Sequence, residues 1–371
     1  MVNLKPIIPA CIALLIGCSQ PGQDHRSWTA FWNEDATRMG FRDPDGSTRI
    51  EPRYSGFTTA RKFDDIVAVM EDHGDRQEAY YLTKSGDIIG RDTIYFVDNG
   101  PDCESEGFIR FRDRRTGLAG LYDGAGGIAV PAEYNDITNV RNGMAAALKG
   151  ARKKAPGAGR EDECGHVIWE GGREYLIDTR NRVLVDGFPY DPGLNFYSLT
   201  IRKEPAPEKD RRSFRGVDGN YYSFVDYKKE FQAWLTAVMG GSFSRETLME
   251  NSCRDIYFWK EPDGWAAESS RSFIDLNFEL IRSRLSEWNK ENAGHFIAME
   301  GLNPFIFKSA EFDPYYNNCG EPKDWQYPVM SLVIQHQTGG DSAQDQFDFL
   351  RTENGYKLIS VAVRNVTPIP Q

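Results

Sequence analysis

The chain has 371 residues, 40% of them apolar and 13% aromatic, a folding composition too long for one usual core, so two domains are expected. A formal net charge of −11 and the lack of a long basic block exclude an unassisted nucleic-acid binder. The one basic knot, Lys149–Lys154, is followed by Ala-Pro-Gly-Ala-Gly and reads as a solvated loop.

The first twenty residues, MVNLKPIIPACIALLIGCSQ, carry one lysine, an apolar run from Ile7 to Ile16, then Gly17-Cys18. That run is too short for a permanent membrane span and suits the hydrophobic region of a signal peptide. It resembles the bacterial lipoprotein signal, with Leu15-Ile16-Gly17-Cys18 as its lipobox. The resemblance implies removal of residues 1–17 and acylation of Cys18 as the new N-terminus. With Ser19 next rather than Asp, it also implies sorting to a Gram-negative outer membrane, facing the periplasm. The lipid would then be the membrane contact, and residues 18–37 a polar tether.

Export places the later cysteines in an oxidising compartment. Cys11 lies in the signal and Cys18 takes lipid, leaving Cys103, Cys164, Cys253 and Cys319. These four allow three pairings; chain order and the domain division favour Cys103–Cys164 and Cys253–Cys319. No CxxC occurs, which argues against a dithiol redox centre and a thiolate zinc knuckle.

Over residues 38–202 a unit recurs. Gly46, Gly86 and Gly126 are spaced by 40 residues, each with a small polar residue three positions earlier: Asp43, Thr83 and Asp123. A late fourth copy has Asp178, with Asn181 where the glycine is expected. Apolar alternation around a D-x-x-G turn predicts strand, tight turn, strand. One hairpin cannot bury its apolar face alone, so the copies must stack. Period 40 is near that of propeller blades, but four imperfect copies favour an open, irregular array of hairpins. The best copy runs Gly120, Leu121, Tyr122, Asp123, Gly126, Val130, Pro131, Tyr134, Asn135, Ile137, then Gly143, Met144, Ala145 and Ala147. This resembles the WG repeat, although Met39, Ala79 and Ala119 stand where its tryptophan is expected. The resemblance implies an all-β region used for binding or scaffolding.

Residues 203–220 are polar and charged and read as a linker. Beyond them, Phe224, Tyr227, Phe231, Trp234, Leu235 and Val238 share one helical face, which Gly240-Gly241 ends. A short helix is expected from Ser244, and a third carries Ile274, Phe278, Ile281, Leu285 and Trp288. Strands are expected at 295–299, 304–308, 327–336, 345–350 and 356–363, with hairpin connections at 337–344 and 352–355. Residues 221–371 are thus expected to be α+β, with helices on a curved antiparallel sheet. The closing DQFDFLRTENGYKLISVAV resembles the end of the NTF2-like cone fold, which implies a concave pocket.

Chemistry is sparse. The histidines at 25, 73, 166, 295 and 336 form no H-E-x-x-H or other close pair in sequence, and neither a G-x-S-x-G elbow nor a P-loop occurs. GAGG at 124–127 lies in a repeat turn, and DPDG at 43–46 lacks the later ligands of a calcium loop. His295, His336 and Asp348 could converge on the sheet as a base and its orienting carboxylate. Tyr54, Tyr80, Tyr81, Tyr95 and Tyr134 could form a contact surface, with core packing the stronger reading for Tyr54 and Tyr134. The expectation is an anchored envelope protein, without a cofactor, that binds another protein or a cell-wall component. The alternatives are small-molecule binding or hydrolysis in a pocket of the second domain, and inhibition of, or immunity to, a basic envelope enzyme.

Overall fold

The computed structural model describes residues 27–97, 100–154, 168–189, 193–240, 243–260, 262–288, 294–338 and 341–363. The signal segment 1–17, Cys18, His25, Cys164 and His166 lie outside the described residues.

The turn chemistry read from the sequence organises the first half. At each of the four turns the small polar residue's carbonyl accepts from the N–H three residues on, and its own N–H donates to the carbonyl four residues on. The first contacts measure 3.0 Å at Asp43/Gly46, 3.0 Å at Thr83/Gly86, 2.9 Å at Asp123/Gly126 and 3.0 Å at Asp178/Asn181. Asn181 has φ +60°, so it does adopt the left-handed conformation that glycine adopts in the other copies. A second glycine requirement sits on the strands: a Cβ on Gly120 would lie 2.4 Å from the Val130 carbonyl oxygen. There the register between strands Ala119–Asp123 and Ile128–Tyr134 shifts, and the two backbones close up.

Each hairpin joins a small antiparallel sheet. The first holds Trp28–Trp32, Met39–Arg42, Thr48–Tyr54, Ile66–His73 and Arg76–Thr83, with two short edge strands. Trp28–Trp32 therefore lies in the first sheet, inside the stretch expected as a tether. The second sheet is Phe108–Arg112, Ala119–Asp123 and Ile128–Tyr134. The third joins Asp136–Ile137, Met144–Lys149, Arg173–Asp178 and Val183–Asp186. The basic knot is not a plain loop: Arg152–Lys154 pairs as an exposed strand with Ile168–Glu170.

Successive sheets share apolar clusters. Ile66, Ala68 and Tyr81 meet Ile109, Phe111 and Tyr122. Leu121, Val130 and Tyr134 meet Ile137, Ala147 and Ile177. Met144, Leu176 and Val185 meet Phe196, Tyr222 and Phe224. Burying a large apolar side chain contributes roughly 1.5–3 kcal/mol, so each unit depends on its neighbour for stability. The five tyrosines are all buried, which removes the contact surface considered for them.

Residues 203–220 are not a plain linker. Arg211–Arg215 pairs with Tyr221–Asp226, and that strand pairs with Leu194–Arg202. Their turn repeats the same bonds, with Gly219 N–H donating to the Gly216 carbonyl at 3.0 Å and Gly216 N–H to that of Asn220 at 2.7 Å. Phe224 consequently belongs to this sheet rather than to the helix that follows.

That helix, α1 (Tyr227–Met239), starts at Asp226, whose side chain caps the Lys229 N–H. Helix α2 (Arg245–Glu250) is capped by Ser244 and α3 (Ser270–Leu285) by Ser269. All three pack on a six-stranded sheet in the order Gly264–Ser269, Ser252–Lys260, Gly355–Ala362, Asp341–Thr352, Val329–Thr338, Gly294–Glu300. The sheet is mixed rather than purely antiparallel, because Ser252–Lys260 runs parallel to Gly355–Ala362. The expected strand at 304–308 is a turn. Asn303 accepts from the Phe305 N–H through its side chain and from Phe307 through its carbonyl, and Pro304 cannot donate to a ladder. Among the described residues no helix is long and apolar enough to cross a membrane.

Residues 301–328 cover the sheet face away from the helices, placing Leu302, Phe307 and Phe312 against Val329, Leu350 and Ile359. The same segment crosses back to the first sheet, where the Asn318 carbonyl accepts from Arg61 N–H at 2.7 Å and Lys62 N–H at 3.0 Å. There Cys319 bonds Cys103, with a Cα separation of 6.0 Å. This overturns the expected one-bridge-per-half arrangement. Chain order misled because the segment returns Cys319 to the other half. Cys253 is a free, half-buried thiol that burial pushes up to about 12.

Candidate functional site

The crossing segment and the repeat sheets enclose a cleft of about 480 Å³, within the size range of ligand sites. One wall is Asp64 and Asp65, just after the edge strand Lys62–Phe63, with Glu104 to Gly107 beside them. The other wall includes Asn317, Asn318, Lys323 and Trp325, and Tyr197 comes from the last repeat sheet.

Local chemistry positions each carboxylate. Ser105 and Phe108 exchange backbone bonds across Glu106-Gly107, both with positive φ (+54° and +78°), giving a two-residue hairpin turn. The turn presents Glu106 to the next unit. One of its oxygens accepts from Asn142 N–H at 2.7 Å and from the Tyr197 hydroxyl at 2.7 Å, and the other from Gly143 N–H at 2.8 Å. Glu106 is therefore committed to structure. Glu104 accepts from the N–H groups of Asp65 (3.1 Å) and Ile66 (3.2 Å). Burial nevertheless pushes its carboxyl up to about 7, with the charges of Asp64 and Asp65 adding to the shift. Asp64 accepts from the Asn318 side chain at 2.6 Å, tying the two walls together. Lys323 donates to the Pro314 carbonyl at 3.0 Å, and burial and the nearby Lys62 push its ammonium down.

Four acidic side chains, with Glu104 held toward its neutral form, thus line the cleft with one lysine and the Trp325 and Tyr197 rings. The Arg141 guanidinium already sits over Trp325, 5.0 Å from the ring centroid. This environment suits cations, which carboxylates and aromatic faces both attract. The described lining holds no serine–histidine or cysteine–histidine pair.

The residues singled out for catalysis do not converge. His295 is registered opposite Ile334, a residue of the helix-side core, whereas Asp348 is registered opposite Ser331. Ile334 and Ser331 are out of phase along one strand, so His295 and Asp348 belong to opposite sheet faces. Their rows are also three residues apart, about 10 Å along the strand. Asp348 accepts from Ser331 at 2.7 Å and Gln346 at 2.9 Å, and from Ser360. His295 is exposed, edge-on to Trp288. His336 lies opposite Ala343, five residues along its strand from Ser331. The face beneath the helices is packed with Phe231, Phe258, Phe273, Phe347 and Phe349, where the sequence suggested a concave pocket. Asp43, Gly46, Gly86, Asp123, Gly126 and Asp178 all hold repeat turns.

The cleft residues carried only a faint sequence signal: a paired Asp64-Asp65 before an apolar strand, and a Glu-x-Glu-Gly turn beside Cys103. They meet 317–326 where Asn318 hydrogen-bonds Arg61, Lys62 and Asp64 and where Cys319 bridges to Cys103 across 216 residues of chain. Comparison with protein-family models, curated proteins and solved structures found no match.

Proposed function

We propose that this chain is a lipid-anchored binding protein of the cell envelope whose cleft takes a basic segment of another envelope protein. The observation that carries the reading is the acidic, aromatic-flanked cleft between the repeat sheets and the crossing segment. The net charge of −11 adds long-range steering of a basic partner. The Cys103–Cys319 bridge supports an oxidising compartment, in keeping with the lipobox-like Leu15-Ile16-Gly17-Cys18. The repeated turns and shared cores support a WG-like scaffold, whose work here is to hold the carboxylates rigidly against the second half. The helix-covered sheet supports an NTF2-like second domain in outline, with a filled face that leaves recognition to the cleft. Inhibition of a basic envelope enzyme would use the same surface.

The test is fluorescence anisotropy of labelled arginine-rich and glutamate-rich peptides of equal length on the purified chain. The arginine-rich peptide is expected to bind selectively and to weaken as salt rises. Asp65→Asn should lower its affinity by about five- to tenfold, on the order of 1 kcal/mol. Equal binding of both peptides, or no effect of Asp65→Asn, would overturn the reading.

A further inference from the structure

A second cluster lies on the first sheet, away from the cleft. Strands Ile66–His73 and Arg76–Thr83 form a tight hairpin in which Glu71 pairs with Glu78 and His73 with Arg76. Residues two apart on a strand share a face, so Glu71 and His73 project together and Glu78 meets them from across the ladder. Two carboxylates directly opposed in an antiparallel pair repel each other and need compensation.

The compensation here is asymmetric. Arg53 takes the Oε1 oxygen of Glu71 at 2.9 Å, and Arg91 takes the Oε1 oxygen of Glu78. Both Oε2 oxygens face His73 Nε2, at 3.3 Å from Glu71 and 3.7 Å from Glu78, and the Tyr80 hydroxyl also bonds the Glu71 carboxylate. All three donor atoms lie within 4.8 Å of one another. Zinc–nitrogen and zinc–oxygen bonds near 2.1 Å put donors on a tetrahedral edge about 3.4 Å apart, close to both of these separations. The arginines stand where outer partners of ligating carboxylates stand, fixing one oxygen and orienting the other. The imidazole is 56% exposed, so a fourth position opens to solvent.

We propose that Glu71, His73 and Glu78 form a zinc site, one imidazole nitrogen and two single carboxylate oxygens, with water as the fourth ligand. A mixed nitrogen and oxygen set of this kind suits zinc, whereas magnesium and calcium prefer all-oxygen shells. The two arginines already balance the two carboxylates, so the site binds without the pull of a large net negative charge and depends on the imidazole.

The experiment is calorimetric titration of the metal-free, full-length chain with zinc chloride, paired with thermal melts. One zinc per chain is expected, with a rise in melting temperature, since a ligand that binds only the folded state stabilises it. His73→Ala and Glu78→Gln should each weaken binding by at least about tenfold and cancel the thermal shift, while Asp75→Asn on the turn leaves both unchanged. His73 is mostly exposed, so His73→Ala should fold as the parent does. Absence of saturable binding, or one-to-one binding that survives His73→Ala, would overturn the site.

Discussion

Glu104 shows how one residue's surroundings set a property of the whole molecule. Its carboxyl moves from an ordinary 4.5 to about 7 chiefly through burial, despite two backbone donors. Between those values the folded protein holds a proton that the unfolded chain has released, so stability falls as pH rises through this window. Above about 7 the folded state carries a buried carboxylate, at a cost on the order of 3 kcal/mol. Glu104→Gln keeps an oxygen for the Asp65 and Ile66 N–H groups but cannot ionise. Its melting temperature should change little between pH 5 and 8 where the parent's falls, and it should be the more stable protein at the upper end. Parallel melting curves for the two proteins would refute this account of Glu104.

At the level of elements, what the sequence made legible was local chemistry. The D-x-x-G turns, Asn181 in the glycine's place and the helix start at Ser244 each follow from side chains within four residues, whereas the first helix starts at Asp226, beyond the Phe224 that the expected helical face included. What it hid was long-range. Ser252–Lys260 and Gly264–Ser269 form a hairpin that alternation did not announce, and the parallel partner of the first lies about a hundred residues on. The 301–328 segment is the extreme case, because it covers one half with apolar side chains and bridges to the other with Cys319. Opening that bridge should therefore act on this segment first. Cys103→Ser is expected to lower stability by a few kcal/mol, to expose 301–328 to limited proteolysis, and to weaken arginine-peptide binding, since one cleft wall is lost. A variant that melts, digests and binds as the parent does would show that the Asn318 contacts alone hold the segment.

For the whole molecule, the cleft lies where repeat sheets and second half are joined, by the Asn318 hydrogen bonds and by a disulfide that reducing cytosol would not sustain. The fold and the N-terminal sequence therefore argue for the same place. Residues 1–17 have the apolar run of an export signal, Leu15-Ile16-Gly17-Cys18 has the lipobox pattern, and the first described strand begins only at Trp28. Because Trp28–Trp32 already pairs in the first sheet, any tether following Cys18 would end before Trp28, ahead of the 18–37 bounds expected from composition. Cys18→Ser should leave an unprocessed or mislocalised precursor whose folded part is unaffected, since the Cys103–Cys319 bridge and the apolar clusters do not involve that residue. Labelled palmitate should appear in the parent and be missing from the variant. Equal labelling of both, or mass spectrometry finding Met1 intact on the membrane-bound form, would detach the protein from this anchor and leave the cleft to be explained in another compartment.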